Sequence, residues 1–113
     1  MPNRSMFSDD TAFRTATEET LEALLDQIDE IDADIDPRVA SGSLTVQFED
    51  GSVLMLSPQT PTHELWLSAN YTAWHFLCEE AGAWIERDTG ASMLSVLSTL
   101  FSEKLNEAVR FTL

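Results

Sequence analysis

The stretch SLTVQFEDGSVLML, residues 43–56, decides the fold class of this chain. Its first half alternates the apolar residues Leu44, Val46 and Phe48 with polar ones, which is the period of a strand with one buried face. An acidic turn ending in Gly51 follows, and the apolar run 53–56 then predicts a second strand. Strands joined by so short a turn pair antiparallel, so the stretch predicts a hairpin within an antiparallel sheet.

Three further short strands are predicted after this hairpin, at residues 64–69, 74–79 and 83–87. A break is expected over residues 57–61, because its two prolines cannot donate to a ladder. Within ELWLS, residues 64–68, strict alternation sends Trp66 to the face opposite Leu65 and Leu67. Two leucines favour the core side, so we expect Trp66 on the open face, where an exposed tryptophan marks a contact surface.

Two amphipathic helices are predicted on either side of the strands. Residues 9–31 contain no glycine or proline, and Ser8 or Asp9 is the expected N-cap. Their apolar side chains recur at helical spacing over an arc of about 120°; the stripe consists of Leu21, Leu24, Leu25, Ile28 and Ile31. A second helix is predicted over 93–106 with Ser92 as its cap, and residues 109–113 are expected to add a strand or to pack across the helices.

The order of elements, a helix, a run of strands and a second helix, is typical of an α+β fold. We therefore predict a two-layer sandwich in which both helices pack on one face of an antiparallel sheet of about 5–6 strands. The length of 113 residues suits one domain. Residues 1–8 are expected to form a flexible N-terminal leader, and residues 9–113 the single domain.

The charge balance restricts the classes of partner. Against 20 Asp and Glu the chain has 6 Lys and Arg, a formal net charge of -14. Such a protein should repel nucleic acids and anionic membranes and should attract cations and basic protein surfaces. No apolar run approaches the roughly 18 residues of a membrane span. The start of the chain lacks a secretory signal and Cys78 is the only cysteine, so we expect a cytoplasmic protein.

The acidic residues concentrate on the first helix. Five of them share an arc of about 100° beside the apolar stripe, namely Glu19, Glu22, Asp26, Asp29 and Glu30. With Glu18–Glu22 included, five like-charge pairs lie three or four residues apart. Each pair costs about 0.2–0.5 kcal/mol, or roughly 1–2.5 kcal/mol together. No Lys or Arg lies between Arg14 and Arg38 to offset this. A solvated face is the ordinary interpretation of a charge run, but this repulsion favours a role in binding a cation or a partner.

The chemistry available to this face is hard-cation binding by carboxylate oxygens. Carboxylates on one side of a helix cannot enclose an ion, so we expect modest affinity and mostly aqueous coordination. The spacing of Asp32, Asp34 and Asp36 imitates the start of an EF-hand loop, but Pro37 and Ser43 stand where that loop requires Gly and Glu. An EF-hand is therefore rejected.

No motif predicts an enzyme. His63 and Glu64 are not followed by the second histidine of a zinc-protease helix, and no phosphate-binding or dinucleotide-binding glycine motif is present. Cys78 lies on a predicted strand, where a buried structural role is more common than a catalytic one.

The segment PQTPTHELWLS, residues 58–68, is similar to the frataxin signature, in which Gln-x-Pro leads into a strand carrying Trp-Leu. The hairpin LTVQFEDG, residues 44–51, resembles the preceding frataxin hairpin. WHF at 74–76, WI at 84–85 and DTG at 88–90 resemble the later strands. Together with the acidic first helix, the resemblance to bacterial frataxins of the CyaY type covers about residues 9–105.

This resemblance implies a function in iron–sulfur cluster assembly, as an iron-responsive regulator or an iron donor. It implies weak binding of iron (Fe2+ or Fe3+) or other hard divalent cations on an acidic ridge, which we define as Glu18, Glu19, Glu22, Asp26, Asp29, Glu30, Asp32, Asp34 and Asp36. The implied partners are a cysteine desulfurase and the scaffold protein, and the chain is expected to be a monomer without metal. The implied partner-binding residues are Glu19, Glu22, Asp26, Gln59, Trp66 and His75.

One alternative stays open from composition alone. An acidic nucleic-acid mimic would bind and block a basic protein by charge, and it would not need an exposed Trp66 on a sheet. A ferroxidase is disfavoured, because the pattern suggests no closed multidentate site.

Overall fold

An antiparallel meander joins two α-helices in the computed structural model, which describes residues 7–79 and 82–113. The elements are α1 (Asp10–Asp29), β1 (Ile35–Ala40), β2 (Ser43–Phe48), β3 (Val53–Gln59), β4 (Glu64–Ala69), β5 (Thr72–Cys78), β6 (Trp84–Glu86) and α2 (Met93–Leu105). The strands lie side by side in chain order, and each pairs antiparallel with the next. The predicted α+β class and the antiparallel sheet are confirmed.

Helix α1 begins where the sequence predicts. The Asp9 carboxylate accepts a hydrogen bond from the backbone N–H of Ala12 at 2.8 Å, so Asp9 is the N-cap. The buried stripe includes the predicted Leu21, Leu24 and Ile28, and it extends two turns further through Phe13 and Thr17. The predicted members Leu25 and Ile31 lie half-buried at its margin.

The alternation in the strands gives the sheet one apolar face. Leu44 and Leu56 lie directly opposite each other and are buried, as are Leu65 and Leu67 on β4. These side chains form one core cluster with the buried residues of both helices. Both helices therefore pack on the same side of the sheet, which confirms the two-layer sandwich, and the opposite face of the sheet remains open.

Two prolines lie inside strands. The expected break at residues 57–61 is wrong for its first part, because β3 continues through Pro58 to Gln59 and Pro58 pairs with Leu65. The pairing of β3 with β2 ends at Leu56, so beyond that residue β3 has a strand on one side only, and the missing N–H of proline breaks no ladder there. Pro37 occurs in the edge strand β1 for the same physical reason.

The C-terminal residues pack across the helices instead of adding a strand. Phe111 is buried edge-on against Phe101, with ring centroids 4.9 Å apart. The Gln27 side chain of α1 both donates to the Thr112 carbonyl at 2.7 Å and accepts from the Thr112 N–H at 2.9 Å. The sixth strand is consequently β1, not the C-terminal segment.

Phe7, which belongs to the predicted N-terminal leader, packs against the core. Residues 1–6 of that prediction lie outside the described residues. The Phe7 ring contacts Phe13 edge-on at 5.6 Å between centroids and stacks on Trp84 at 6.2 Å. This contact extends the core beyond the N-terminus of α1.

The turn after β6 is organised by the buried carboxylate of Glu86. It accepts backbone hydrogen bonds from His75 at 3.0 Å, Asp88 at 2.8 Å and Thr89 at 3.0 Å. Burial by itself raises the pKa of Glu86, but these hydrogen bonds outweigh it and hold the pKa below its ordinary value. The charged carboxylate thus ties β5 to the connection between β6 and α2.

We predict that Glu86→Gln lowers the free energy of unfolding by about 1–3 kcal/mol near pH 7, because buried N–H groups lose acceptors. A carboxyl whose folded-state pKa is depressed stabilises the fold above its unfolded pKa of about 4.3, and this contribution is lost as the pH falls below it. The difference between native chain and variant, measured by urea unfolding along a pH series, should therefore shrink below about pH 4. Glu103→Gln, at an exposed position of α2, is the control; a difference independent of pH would contradict the assignment.

A second prediction concerns the C-terminal segment. Phe111 is 4 % exposed, and Phe111→Ala should lower the free energy of unfolding by about 3–5 kcal/mol. Leu113, 58 % exposed, is the matched control, and Leu113→Ala should change stability by less than about 0.5 kcal/mol. Equal effects of the two substitutions in thermal unfolding would show that the segment does not belong to the core.

Candidate metal- and partner-binding surfaces

The acidic ridge is exposed along its whole length. Five of its nine carboxylates lie on α1, on the side turned away from the buried stripe, and Glu30 is the C-cap of that helix. Asp36 forms an ion pair with Arg38 at 3.2 Å. For the other eight, the described part of the chain supplies no ion pair and no side-chain hydrogen bond. The structure thus leaves the repulsion between them uncompensated.

At its C-terminal end the ridge meets further acidic residues that the sequence analysis did not select. Asp32 and Asp34 line an open depression of about 590 Å³ together with Glu49, Asp50, Glu107 and Lys104. Lys104 donates to Asp50 at 3.0 Å. Hydrogen bonds from Ser52, and then from Lys104, lower the pKa of Asp50 to about 2, so its carboxylate is ionised at neutral pH. Five carboxylates against one ammonium extend the negative surface around this end of the molecule.

The geometry restricts what metal ion the ridge could hold. In residues 7–79 and 82–113, no three His, Cys, Asp or Glu side chains converge in a way that would hold a metal ion. The ridge donors are carboxylate oxygens, which suit hard cations such as iron, magnesium or calcium. A closed site does not fit this arrangement, whereas a mostly hydrated ion held by one or two carboxylates does.

The open face of the sheet carries a second candidate surface, the sheet-face cluster, made of Gln59, Glu64, Trp66, His75 and Arg87. Trp66 is 39 % exposed, while its neighbours Leu65 and Leu67 are fully buried, so the predicted orientation of this strand is confirmed. His75 lies directly opposite Trp66 on β5, and the two rings stack with centroids 4.3 Å apart and an angle of 17° between planes. The two rings therefore cover each other's faces and form one rigid stacked pair.

A buried carboxylate holds this ring pair from below. Glu64 is only 1 % exposed, and it accepts hydrogen bonds from the Trp66 indole N–H at 2.8 Å and the Thr62 hydroxyl at 3.0 Å. The Arg87 guanidinium donates a third hydrogen bond to the Glu64 carboxylate, at 3.2 Å. A buried carboxylate is tolerated because it is paired and hydrogen-bonded in this way.

Gln59 belongs to the same face but not to the ring contact. It pairs with Glu64 across the strands, and its amide donates to the Ser57 hydroxyl at 3.3 Å. The structure therefore brings Gln59, Trp66 and His75 onto one surface, as the sequence analysis expected.

Sequence reasoning missed Glu64 and Arg87. Glu64 is two residues from Trp66, so period-2 alternation could have placed both on the same face. Arg87 offers no such signal, because it reaches the cluster from the end of β6, 23 residues along the chain from Glu64.

The two surfaces belong to different layers. The α1 carboxylates lie on the helix layer, whereas the cluster lies on the open sheet face. Asp36 connects them, because it is exposed opposite Gln47 on the open face of the edge strand β1. Trp66 on β4 lies three strand spacings away, about 14 Å across the sheet, and four residues further along the strands, another ~13 Å. A partner that covers both surfaces must bend around the β1 edge.

The structure also bears on the predictions for Cys78 and for membrane-spanning segments. Cys78 lies half-buried against the core, and burial raises the pKa of its thiol, with Glu79 adding to the shift. This matches the expected structural role, although the thiol is not fully buried.

Neither helix within the described residues has the length and apolar character needed to cross a membrane.

Comparison with known proteins matches this chain to one family. The model of the Frataxin-like domain matches residues 6–107. "Iron-sulfur cluster assembly protein CyaY" of Thioalkalivibrio sulfidiphilus is 34% identical over 104 residues, which cover 89% of this chain and 97% of that protein. The protein of the same name from Neisseria meningitidis serogroup B is 35% identical over 100 residues, covering 88% and 92%.

A solved structure agrees in three dimensions. Frataxin from Psychromonas ingrahamii superposes with a TM-score of 0.86 at 28% identity, over 93% of this chain and 99% of that one. The helix-meander-helix order, the acidic first helix and the Trp66 strand thus occur together with a family match over nearly the whole chain, and the chain belongs to the frataxin family, in its bacterial CyaY type.

Proposed function

We propose that this chain acts in iron–sulfur cluster assembly, as an iron-binding regulator or iron donor that docks its acidic ridge on a basic surface of a cysteine desulfurase. The observation that supports this most directly is the ridge itself, whose carboxylates are exposed and, apart from Asp36, unpaired within the described residues. The relatives' name, iron–sulfur cluster assembly protein, supports the process.

Docking on a basic partner relieves the repulsion within the ridge. A net charge of -14 also steers encounter with a positive surface, and the association rate should fall as salt is added. The ridge by itself mainly raises the association rate and orients the partner, because each exposed charge pair contributes little affinity.

The sheet-face cluster supplies the second contact in this proposal. A stacked Trp66–His75 pair offers rigid apolar area with little entropy to lose, which is the character of an interface anchor. The scaffold protein, which works beside the desulfurase, is the partner that could reach this face while the desulfurase occupies the ridge. The bend around the β1 edge favours two partners over one flat one.

On this proposal iron is an ion that the protein carries or senses, and not a permanently bound cofactor. Carboxylates that do not converge hold Fe2+ or Fe3+ weakly and exchange it readily, and other hard cations compete for the same oxygens. On this proposal the chain works in the cytoplasm as a monomer when no metal is bound, and it regulates or supplies a reaction without catalysing one.

The alternative of a nucleic-acid mimic needs only charge. The sheet-face cluster argues against it, since a buried Glu64 that holds an exposed ring pair has no role in charge mimicry.

We predict that replacing Glu19, Glu22, Asp26 and Glu30 by Gln abolishes binding to the cysteine desulfurase, measured by titration calorimetry at low salt. The same change should raise the free energy of unfolding by up to about 1–2 kcal/mol, because like-charge neighbours on α1 are removed.

A charge-matched pair tests whether position matters. Glu22→Gln with Asp26→Asn should weaken binding, whereas Glu79→Gln with Glu103→Gln, two exposed acids off the ridge, should not. Equal losses of binding affinity in the two double variants would show that the ridge acts only through general charge attraction. That result would favour the nucleic-acid mimic.

A second prediction concerns iron. Titration with Fe2+ under anaerobic conditions should broaden the backbone NMR signals of residues 18–36 and spare residues 93–100 of α2. The four-Gln variant is the control and should lose this pattern. Uniform broadening, or none, would count against iron binding at the ridge.

A further inference from the structure

Arg87 makes three contacts that join the sheet-face cluster to the end of β6. One guanidinium nitrogen donates to Glu64 at 3.2 Å, and the other contacts His75 Nδ1 at 2.9 Å. The backbone N–H of Arg87 also donates to the His75 carbonyl at 2.8 Å. Arg87 is thus held against His75 by its main chain and its side chain, and against Glu64 by its side chain.

The contact with His75 fixes the protonation pattern of the imidazole. A guanidinium has donors and no acceptor, so His75 Nδ1 must accept with a free lone pair. The single ring hydrogen of the neutral imidazole is then on Nε2.

His75 Nε2 is left for a ligand outside the chain. Within the described residues it has no hydrogen-bond partner, and there are no buried side-chain nitrogen or oxygen atoms without a partner in that same part of the molecule. Nε2 is therefore accessible to solvent.

The surroundings hold this ring in one position. Trp66 stacks on it from β4, and the Trp66 indole is itself held by Glu64. Glu86 accepts the His75 backbone N–H from the side of β6, and Asp88 pairs with the Arg87 guanidinium at 3.6 Å. The charged groups that face His75 are accordingly Glu64, Glu86, Arg87 and Asp88.

We propose that Arg87 is a positioning residue of the partner-binding surface: it locks His75 in the tautomer that presents an Nε2–H donor, and His75 thereby donates to a hydrogen-bond acceptor of the scaffold protein. This inference rests on the proposed function, in which the sheet-face cluster contacts the assembly machinery. It assigns His75 a chemistry opposite to that of a metal ligand, because a protonated Nε2 has no lone pair to offer.

The tautomer is tested by NMR of the 15N-labelled native chain, with long-range correlations from the imidazole carbons' protons to both ring nitrogens. Near neutral pH the spectra should show His75 with a protonated Nε2 and a bare Nδ1. A protonated Nδ1 in the native chain would overturn the proposal.

Variants separate the positioning role from simple support of the fold. Arg87→Lys keeps a donor and should retain the tautomer. Arg87→Leu combined with Glu64→Gln removes the donor without leaving a buried charge, and this variant should show a mixture of tautomers. Arg110→Leu, which removes the same charge from an exposed residue elsewhere, should leave the His75 signals unchanged.

Binding tests the donor role with the purified scaffold protein and the desulfurase, separately and together. His75→Met removes the N–H and should weaken binding about 5- to 10-fold, the value of one hydrogen bond. His75→Gln keeps an amide N–H at similar reach and should stay within about 3-fold of the native chain. Equal binding by native chain and His75→Met would overturn the donor role.

The failures of the two proposals are distinguishable. If the native chain binds neither protein, the proposed function and the donor role are overturned together, while the NMR result still decides the tautomer. If the native chain binds and the Gln and Met variants behave alike, only the inference about His75 is overturned.

Discussion

A sandwich of two layers can bury only one face of its sheet, and the rest of this structure follows from that constraint. Period-2 alternation sends Leu65 and Leu67 to the helices and leaves Trp66 on the other side. A large aromatic residue on an open face has to be held and partly covered by its own neighbours. His75 covers the ring, Glu64 binds the indole N–H, and Arg87 binds both Glu64 and His75. The open face is thus as highly organised as the core.

The helix layer has a packed inner side and a charged outer side. Its inner stripe is apolar and packed, while its outer side carries carboxylates with hardly any countercharge. Repulsion between these like charges opposes the folding of the isolated chain. The two layers therefore present two chemically different surfaces, one charged and one aromatic, and Asp36 on the edge strand β1 lies between them.

The elements that depend on local pattern could be predicted from the sequence. The amphipathic stripe and N-cap of α1, the β2–β3 hairpin and the outward orientation of Trp66 each follow from spacing within a few residues. The features that were missed depend on partners distant in the chain. Pro58 is tolerated in β3 because the pairing with β2 stops at Leu56, and Phe7 packs against Trp84 and Phe13. Arg87 joins the candidate site only because β6 lies next to β5.

The order of the strands in the sheet has a consequence for how the chain reaches its native state. Because each strand pairs with its neighbours in sequence, the meander can form by successive local hairpins with short loop closures and a small entropic cost for each. Contacts of large sequence separation join the helix layer to the rest of the fold, as where Phe7 and Phe13 meet Trp84 and Gln27 binds Thr112. The sheet therefore has a low contact order, and the packing of the helix layer on it has a higher one. The rate-limiting event of folding is then expected to be the docking of the two helices, with the hairpins already formed.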